Sequence, residues 1–362
     1  MGSRSDTRPL LKRAAPTGSY MPGESVRGRV RSMAVTETGT TQRATVAIRA
    51  FRPEDYPAIV EISNLLLPDH PRSVEETRFE DEQFTRGNFF LRRFVAVDSS
   101  GEIVGSLSFN QMPWAFHPDR YAVWGGVRPG SQRKGVGESL YTVLMDELED
   151  RKAVAARTWV RESTGETTAW LARRGFRELH RSWGSRLDVA AFDATRFSEH
   201  ARVPAGIEVV TLEDEMAVDP GRIRAVYEMD NELSADVPRV DPYTSPPFEM
   251  FRDFALSGPQ ALPAACFLAK DGDRYVGVSS LERVESQDTL HVGFTGVRRE
   301  CRGRGIAMHL KLRAIGYAKR HGYRWITTGN SSLNAPMLGI NTKLGFAKET
   351  VWLVMGKDLG GA

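Results

Sequence analysis

From about residue 46 onward, two apolar rhythms alternate along the chain. Phe94-Val-Ala-Val97 and Ile103-Val-Gly-Ser-Leu107 are short apolar runs on either side of Asp98-Ser-Ser-Gly101, which predicts a β-hairpin. Tyr121–Val127 reads as the next strand. Leu140, Val143, Leu144 and Leu148 then recur at helical spacing, predicting a helix from Gly137 to about Asp150. Thr158–Val160 reads as a strand and Thr167–Arg174 as a helix. The order then returns. Cys266–Ala269 and Tyr275–Val278 flank Asp271-Gly-Asp273, and Leu290–Val297 is the following strand. Ile306, Leu310, Ala314 and Tyr317 mark one helix face, and Trp325–Thr328 and Asn334–Leu344 read as a strand and a helix. Each series opens with a strand and helix, at Val46–Arg49 and Ile207–Val210, and Pro204-Ala-Gly206 breaks the pattern between them.

The recurrence is a repeat at a constant offset. Val127-Arg-Pro-Gly-Ser-Gln132-Arg-Lys-Gly135-Val-Gly137 aligns with Val297-Arg-Arg-Glu-Cys-Arg302-Gly-Arg-Gly305-Ile-Ala307. Gly175-Phe176 and Gly345-Phe346 follow Gly135 and Gly305 at equal distance. So long a period means two whole domains rather than a solenoid, and 362 residues suit that number. The expected division is a disordered basic tail over 1–45, an N-terminal domain over 46–200 and a C-terminal domain over 201–362.

Charge and cysteine content narrow the function. The net charge is +3, but residues 1–47 hold eight basic and three acidic residues, so the remainder is slightly acidic. The globular part is therefore not a nucleic-acid binder by composition. The tail has no apolar core of a secretion signal, and the chain has no run of about 18 apolar residues to span a membrane. Cys266 and Cys301 form no disulfide framework, and the seven histidines form no zinc-type motif, so no metal is expected. A cytoplasmic monomer or homodimer is the expectation.

In both repeats a strand enters a glycine loop that opens a helix. Glycine lets a ligand approach the backbone closely. The first helical amides lack intrahelical partners and attract an anion such as a pyrophosphate. Arg299, Arg302 and Arg304 add charge to the second loop, and Arg133 and Lys134 to the first. Neither loop matches a P-loop or a dinucleotide fingerprint.

Gln132-x-x-Gly135-x-Gly137 and Arg302-x-x-Gly305-x-Ala307 resemble the [QR]-x-x-G-x-[GA] signature of the GNAT superfamily of acetyl-CoA-dependent N-acyltransferases. The resemblance covers about 48–188 and 207–357, and the tandem layout is similar to that of two-domain acetyltransferases of the mycothiol synthase type. It implies an α/β fold of two tandem domains, each a splayed mixed sheet flanked by helices. It implies that Val297, Arg302, Gly303, Arg304, Gly305, Ile306 and Ala307 hold coenzyme A, as would Gln132, Arg133, Lys134, Gly135, Val136 and Gly137 if the first half also binds. Asn330, Asn334 and Met337 are further cofactor candidates. Asn334 equally suits a helix cap before Pro336, and Asn330 and Asn341 suit local turn or helix roles.

The same resemblance implies a general base eleven residues before Arg302, which is His291 here and Tyr121 in the first half. Strand alternation places His291, Gly293 and Thr295 on one face. Glu282 is the alternative base. The family's usual tyrosine acid is replaced by Asn341 and, in the first half, by Leu171, leaving Tyr243 or solvent to protonate the thiolate. The acidic, proline-rich segment holding Asp236, Asp241 and Tyr243 suits a cationic amine as readily as a solvated connection. The leading expectation is acetyl transfer from acetyl-CoA to a small-molecule amine, with the C-terminal half catalytic and the first half degenerate. A CoA-binding pseudoenzyme and a Fem-like tRNA-dependent aminoacyl transferase are the alternatives.

Overall fold

The computed structural model describes residues 46–360, so the tail over 1–45 lies outside the described residues. The N-terminal half runs β1 (Ala47–Ala50), α1 (Tyr56–Leu66), α2 (Val74–Arg86), β2 (Leu91–Val97), β3 (Ile103–Asn110) and β4 (Arg120–Val127). It continues through α3 (Val136–Asp150), β5 (Ala155–Arg161), α4 (Gly165–Ala172) and β6 (Arg177–Asp188), and a one-turn helix α5 (Ser198–Ala201) follows. The second half opens with β7 (Glu208–Thr211), α6 (Leu212–Val218), α7 (Ile223–Ala235) and α8 (Phe248–Leu256). Then come β8 (Cys266–Asp271), β9 (Arg274–Arg283), β10 (Thr289–Val297), α9 (Ile306–Arg320), β11 (Trp325–Ser331), α10 (Ala335–Leu344) and β12 (Ala347–Asp358). The expected mixed sheet flanked by helices is present.

All twelve strands form one sheet, in the order β1-β2-β3-β4-β5-β12-β6-β11-β10-β9-β8-β7. The middle of that order holds an exchange. β12 pairs antiparallel with β5 of the first half, from Trp352 opposite Arg161 to Asp358 opposite Ala155. β6 pairs with β11 of the second half, from Asp188 opposite Trp325 to Ser182 opposite Ser331. A cut near residue 200 therefore divides the chain but not the sheet. Leu353 and Met355 of β12 lie in the core under α3, while Leu187 of β6 and the adjoining Val189 lie in the core under α9. At roughly 1.5–3 kcal/mol per fully buried aliphatic side chain, each half draws part of its stability from the other's last strand.

Each half sandwiches the sheet between helices. Val136, Leu140, Leu144 and Leu148 of α3 pack with Leu171 of α4 on one face, while Ile59 and Val60 of α1 meet Val95 on the other. In the second half α9 covers Leu281, Leu290 and Val292, and α7 covers Leu268 and Val278 from the opposite side. The halves also meet through α2 and α8. Phe79 and Phe254 stack edge to face at 5.1 Å, and Asp253 accepts from Gln83 at 3.3 Å and Arg86 at 3.0 Å.

Candidate active site

The two glycine loops are built alike. Gly135 and Gly305 precede their helices at φ +87° and +83°, left-handed values that cost glycine no strain. Gly303 sits at +78°, but its counterpart Arg133 carries a side chain at +60°. Gln132 and Arg302 play one part: each donates back to the last carbonyl of the preceding strand, Val127 at 3.0 Å and Val297 at 2.9 Å, bracing the loop. Val136, Val297 and Ile306 are buried, so only their main chain can meet a ligand. The amides at the start of α9 face the end of the loop, and Gly303 and Gly305 leave open space where a side chain would stand. That arrangement fits a pyrophosphate.

Behind the loop the halves diverge. β10 and β11 pair in parallel from Thr289 opposite Trp325 to Val292 opposite Thr328, then separate although both strands run on. The next residues are Gly293 and Gly329. A Cβ at Gly329 would meet no described atom within 4 Å, so the sheet face is open at that edge of the gap. β4 and β5 likewise part after Ala122 and Arg157. There the gap is crossed by Trp124 and Trp159, stacked at 4.9 Å with ring planes 6° apart. A second difference is a β-bulge. The β9–β10 register shifts between Val292 and Phe294, leaving Gly293 as the extra residue, whereas β3 and β4 pair without interruption. A bulged residue loses its ladder partner, here on β9.

The bulge also corrects the expected strand faces. His291 lies opposite Glu282 and Phe294 opposite Ser280, so these four share one face. Thr295 lies opposite Ser279, on the other face, where their hydroxyls bond at 3.0 Å. His291 Nδ1 meets Thr327 Oγ1 at 2.9 Å on β11. Burial, with the positive charges of His70 and Lys311, holds the imidazole down to about 4, so it is neutral at pH 7. The Glu282 carboxyl lies against Gly293, whose Cβ would meet Oε1 at 1.9 Å. Burial pushes that carboxyl up to about 7. Asp230 on α7 is raised to about 6 for the same reason. Burial, then the Asp230 and Glu282 charges, push the nearby Cys266 thiol up to about 12. Tyr243 donates to Asn231 Oδ1 at 2.6 Å on the same helix. Glu282, His291, Asp230 and Tyr243 thus line one side of the sheet beside the open gap.

Other expected site residues stand elsewhere. Asn341 is buried and donates to Asn330 Oδ1 at 2.8 Å, and Asn330 donates to Ser185 Oγ at 2.9 Å. This relay ties α10 and β11 to the exchanged strand β6, and it leaves Asn341 Oδ1 buried with no hydrogen-bond partner among the described residues. Asn334 caps α10 by accepting from the Met337 amide at 3.3 Å, which occupies that amide as well. Asp236 is engaged with the second glycine loop. It accepts from Arg299 Nε at 2.9 Å and from the Arg302 guanidinium, and these contacts hold it down to about 2. Asp241 pairs with Arg120 and Arg157 of the first half, each at 3.2 Å. Arg304 is paired with Asp271, and Arg133 with Glu166. Thr327, Gly329 and the tryptophan pair escaped the sequence reading. The signal for the pair was a tryptophan in each of two strands whose counterparts are Phe294 and Gly329.

Among the described residues no helix is long and apolar enough to cross a membrane, and no cluster of three or more His, Cys, Asp or Glu could hold a metal. The sequence profile of the Acetyltransferase (GNAT) family matches twice, over 59–176 and 225–346. A mycothiol acetyltransferase of Actinosynnema mirum is 28% identical over 229 residues, 61% of this chain and 70% of that protein. A tandem GNAT protein from the clavulanic acid biosynthesis pathway, solved without acetyl-CoA, superposes with a TM-score of 0.66 at 19% identity, over 88% of this chain and 99% of its own. A GCN5-related N-acetyltransferase from Sphaerobacter thermophilus gives 0.64 at 22% identity, over 86% and 95%.

Proposed function

The chain belongs to the acetyltransferase (GNAT) family, and from that premise we propose that its C-terminal half transfers the acetyl group of acetyl-CoA to the amine of a small molecule. The observation that carries this reading is the open, glycine-edged gap between β10 and β11, set against the tryptophan-filled gap of the first half. Bound acetyl-CoA would supply the activated acetyl thioester. The α9 amides, with Gly303 and Gly305, would hold its pyrophosphate, and Gly293 and Gly329 leave room for its pantetheine arm.

The chain's own residues then do three things. Glu282, ionised in useful proportion near pH 7, takes the proton from the acceptor ammonium. The Gly293 N–H, released by the bulge, is a fixed donor at the gap for developing negative charge. His291, neutral and steadied by Thr327, lines the cleft without adding a competing cation. The depressed imidazole makes Glu282 the better base of the two. The carboxyls of Asp230 and Glu282 support a cationic acceptor, and the likeness to a mycothiol acetyltransferase supports a small molecule as the carrier of that amine.

A binder without turnover is favoured by one observation, the sealing of Asn341 in a structural relay. Calorimetry with acetyl-CoA, followed by thiol-release assays on primary amines including glucosamine, separates the readings. We expect one acetyl-CoA site per chain, lost in Gly329→Trp and retained in Gly135→Trp. Retained binding in Gly329→Trp would refute the assignment. Binding without turnover across the amines would favour the binder.

A further inference from the structure

In the second half, His291 stands between Glu282 on β9 and Thr327 on β11. Once the bulge is allowed for, the same place in the first half is Ala122, between Asn110 on β3 and Arg157 on β5. The first half has thus lost the base and the imidazole and acquired a guanidinium. That guanidinium is engaged. Arg157 donates to Asp241 Oδ2 through Nε at 3.2 Å and to Oδ1 through Nη2 at 3.4 Å, and Arg120 at the start of β4 pairs with the same Oδ1 at 3.2 Å. All three side chains are at most 16% exposed. Asp241 belongs to the second half, in the loop between α7 and α8.

The loop is tied to the first half again three residues on. The Thr244 amide donates to the Trp114 carbonyl at 3.1 Å, its hydroxyl donates to the Pro113 carbonyl at 2.9 Å, and the Phe116 amide donates to that hydroxyl at 2.6 Å. Between the two ties lies Tyr243, reaching back to Asn231 beside Asp230. An isolated surface ion pair would be worth little. A carboxylate shared by two nearly buried arginines and followed by three hydrogen bonds is a built anchorage, because the Asp241 carboxylate left alone would be buried and unpaired.

We infer that the first half's vestigial active site is a socket: Arg120 and Arg157 are positioning residues that hold Asp241, and through it the Tyr243 loop, as a wall of the second half's acceptor cleft. The first half then serves the reaction without turning over substrate. The inference rests on the acyl-transfer reading for its consequence, and not for the anchorage itself.

Asp241→Asn and Arg157→Leu, made separately in the full chain, approach the contact from opposite halves. Hydrogen exchange should show residues 236–247 losing protection in both variants. Protection of α9, β10 and β11 should be unchanged, and acetyl-CoA affinity should stay within twofold. With the amine turned over fastest in the thiol-release assay, KM for the amine should rise about tenfold or more, with KM for acetyl-CoA unmoved. Unchanged exchange in 236–247 in either variant would overturn the socket. Loss of protection across both cores with a parallel fall in acetyl-CoA affinity would also overturn it, leaving a merely structural tie. If no amine is acetylated, the acyl-transfer reading fails, while the exchange comparison still decides the anchorage.

Discussion

Glu282 sets chemistry against stability in one side chain. Its carboxyl titrates near 7 in the folded chain and near 4.5 when unfolded. Between those values the folded state binds more protons, so stability falls as pH rises across the window. If Glu282 is the base as proposed, its ionised form is the active one, and kcat/KM for the amine should climb with pH and level off above about 7. Glu282→Gln should lower kcat by about 10²–10⁴-fold with acetyl-CoA binding retained. The same variant should melt higher than the wild type at pH 8 and about equally at pH 4; a lower Tm at pH 8 would contradict the strained carboxyl. Asp236 poses a simpler competition. It already occupies Arg299 and Arg302, two of the three arginines of the second glycine loop. Asp236→Asn should therefore tighten acetyl-CoA binding about three- to tenfold, as two solvent-screened ion pairs no longer need breaking. Weaker binding by calorimetry would show that Asp236 orients the arginines instead of competing for them.

At the scale of elements, one inserted residue separates the halves. The extra residue at Gly293 moves His291 onto the face of Glu282 and Phe294 and turns Thr295 away. Strand alternation carries this information only while the register is unbroken, so a period-two reading of 289–297 misplaces Thr295 and equates His291 with Tyr121. A Cβ there would force the Glu282 carboxylate to move. The helices and the first strands of each repeat were legible because amphipathic spacing and turn residues are local signals. β6 and β12, twelve residues each, were not read. Their apolar positions serve both sheet faces and a foreign neighbour, and alternation fades when neither face is plainly solvent.

The exchanged strands set the behaviour of the whole molecule. A fragment spanning 201–362 lacks β6 and with it the buried Leu187 and Val189, and it leaves one edge of β11 unpaired. Losing such core side chains costs about 2–5 kcal/mol each, against a total stability of roughly 5–15 kcal/mol. The fragment should fail to unfold cooperatively in calorimetry, while the full chain should melt in one transition. Two resolved transitions in the full chain, or a cooperative fragment, would show that the halves are independent. Loss of turnover in a truncated chain would accordingly report on folding before it reports on catalysis.

What the sequence by itself determined was the repeat, the order of strands and helices, and the paired glycine loops with their bracing Gln132 and Arg302. Each of these is written in residues close together, as spacing, conformational freedom or turn chemistry. What only the tertiary structure decided was which gap is filled by tryptophans, how burial moves Glu282 up and His291 down, and which partners Asp236, Asp241, Asn330 and Asn341 take. Those outcomes depend on partners 11 to 145 residues away and on burial, and no local pattern encodes either one.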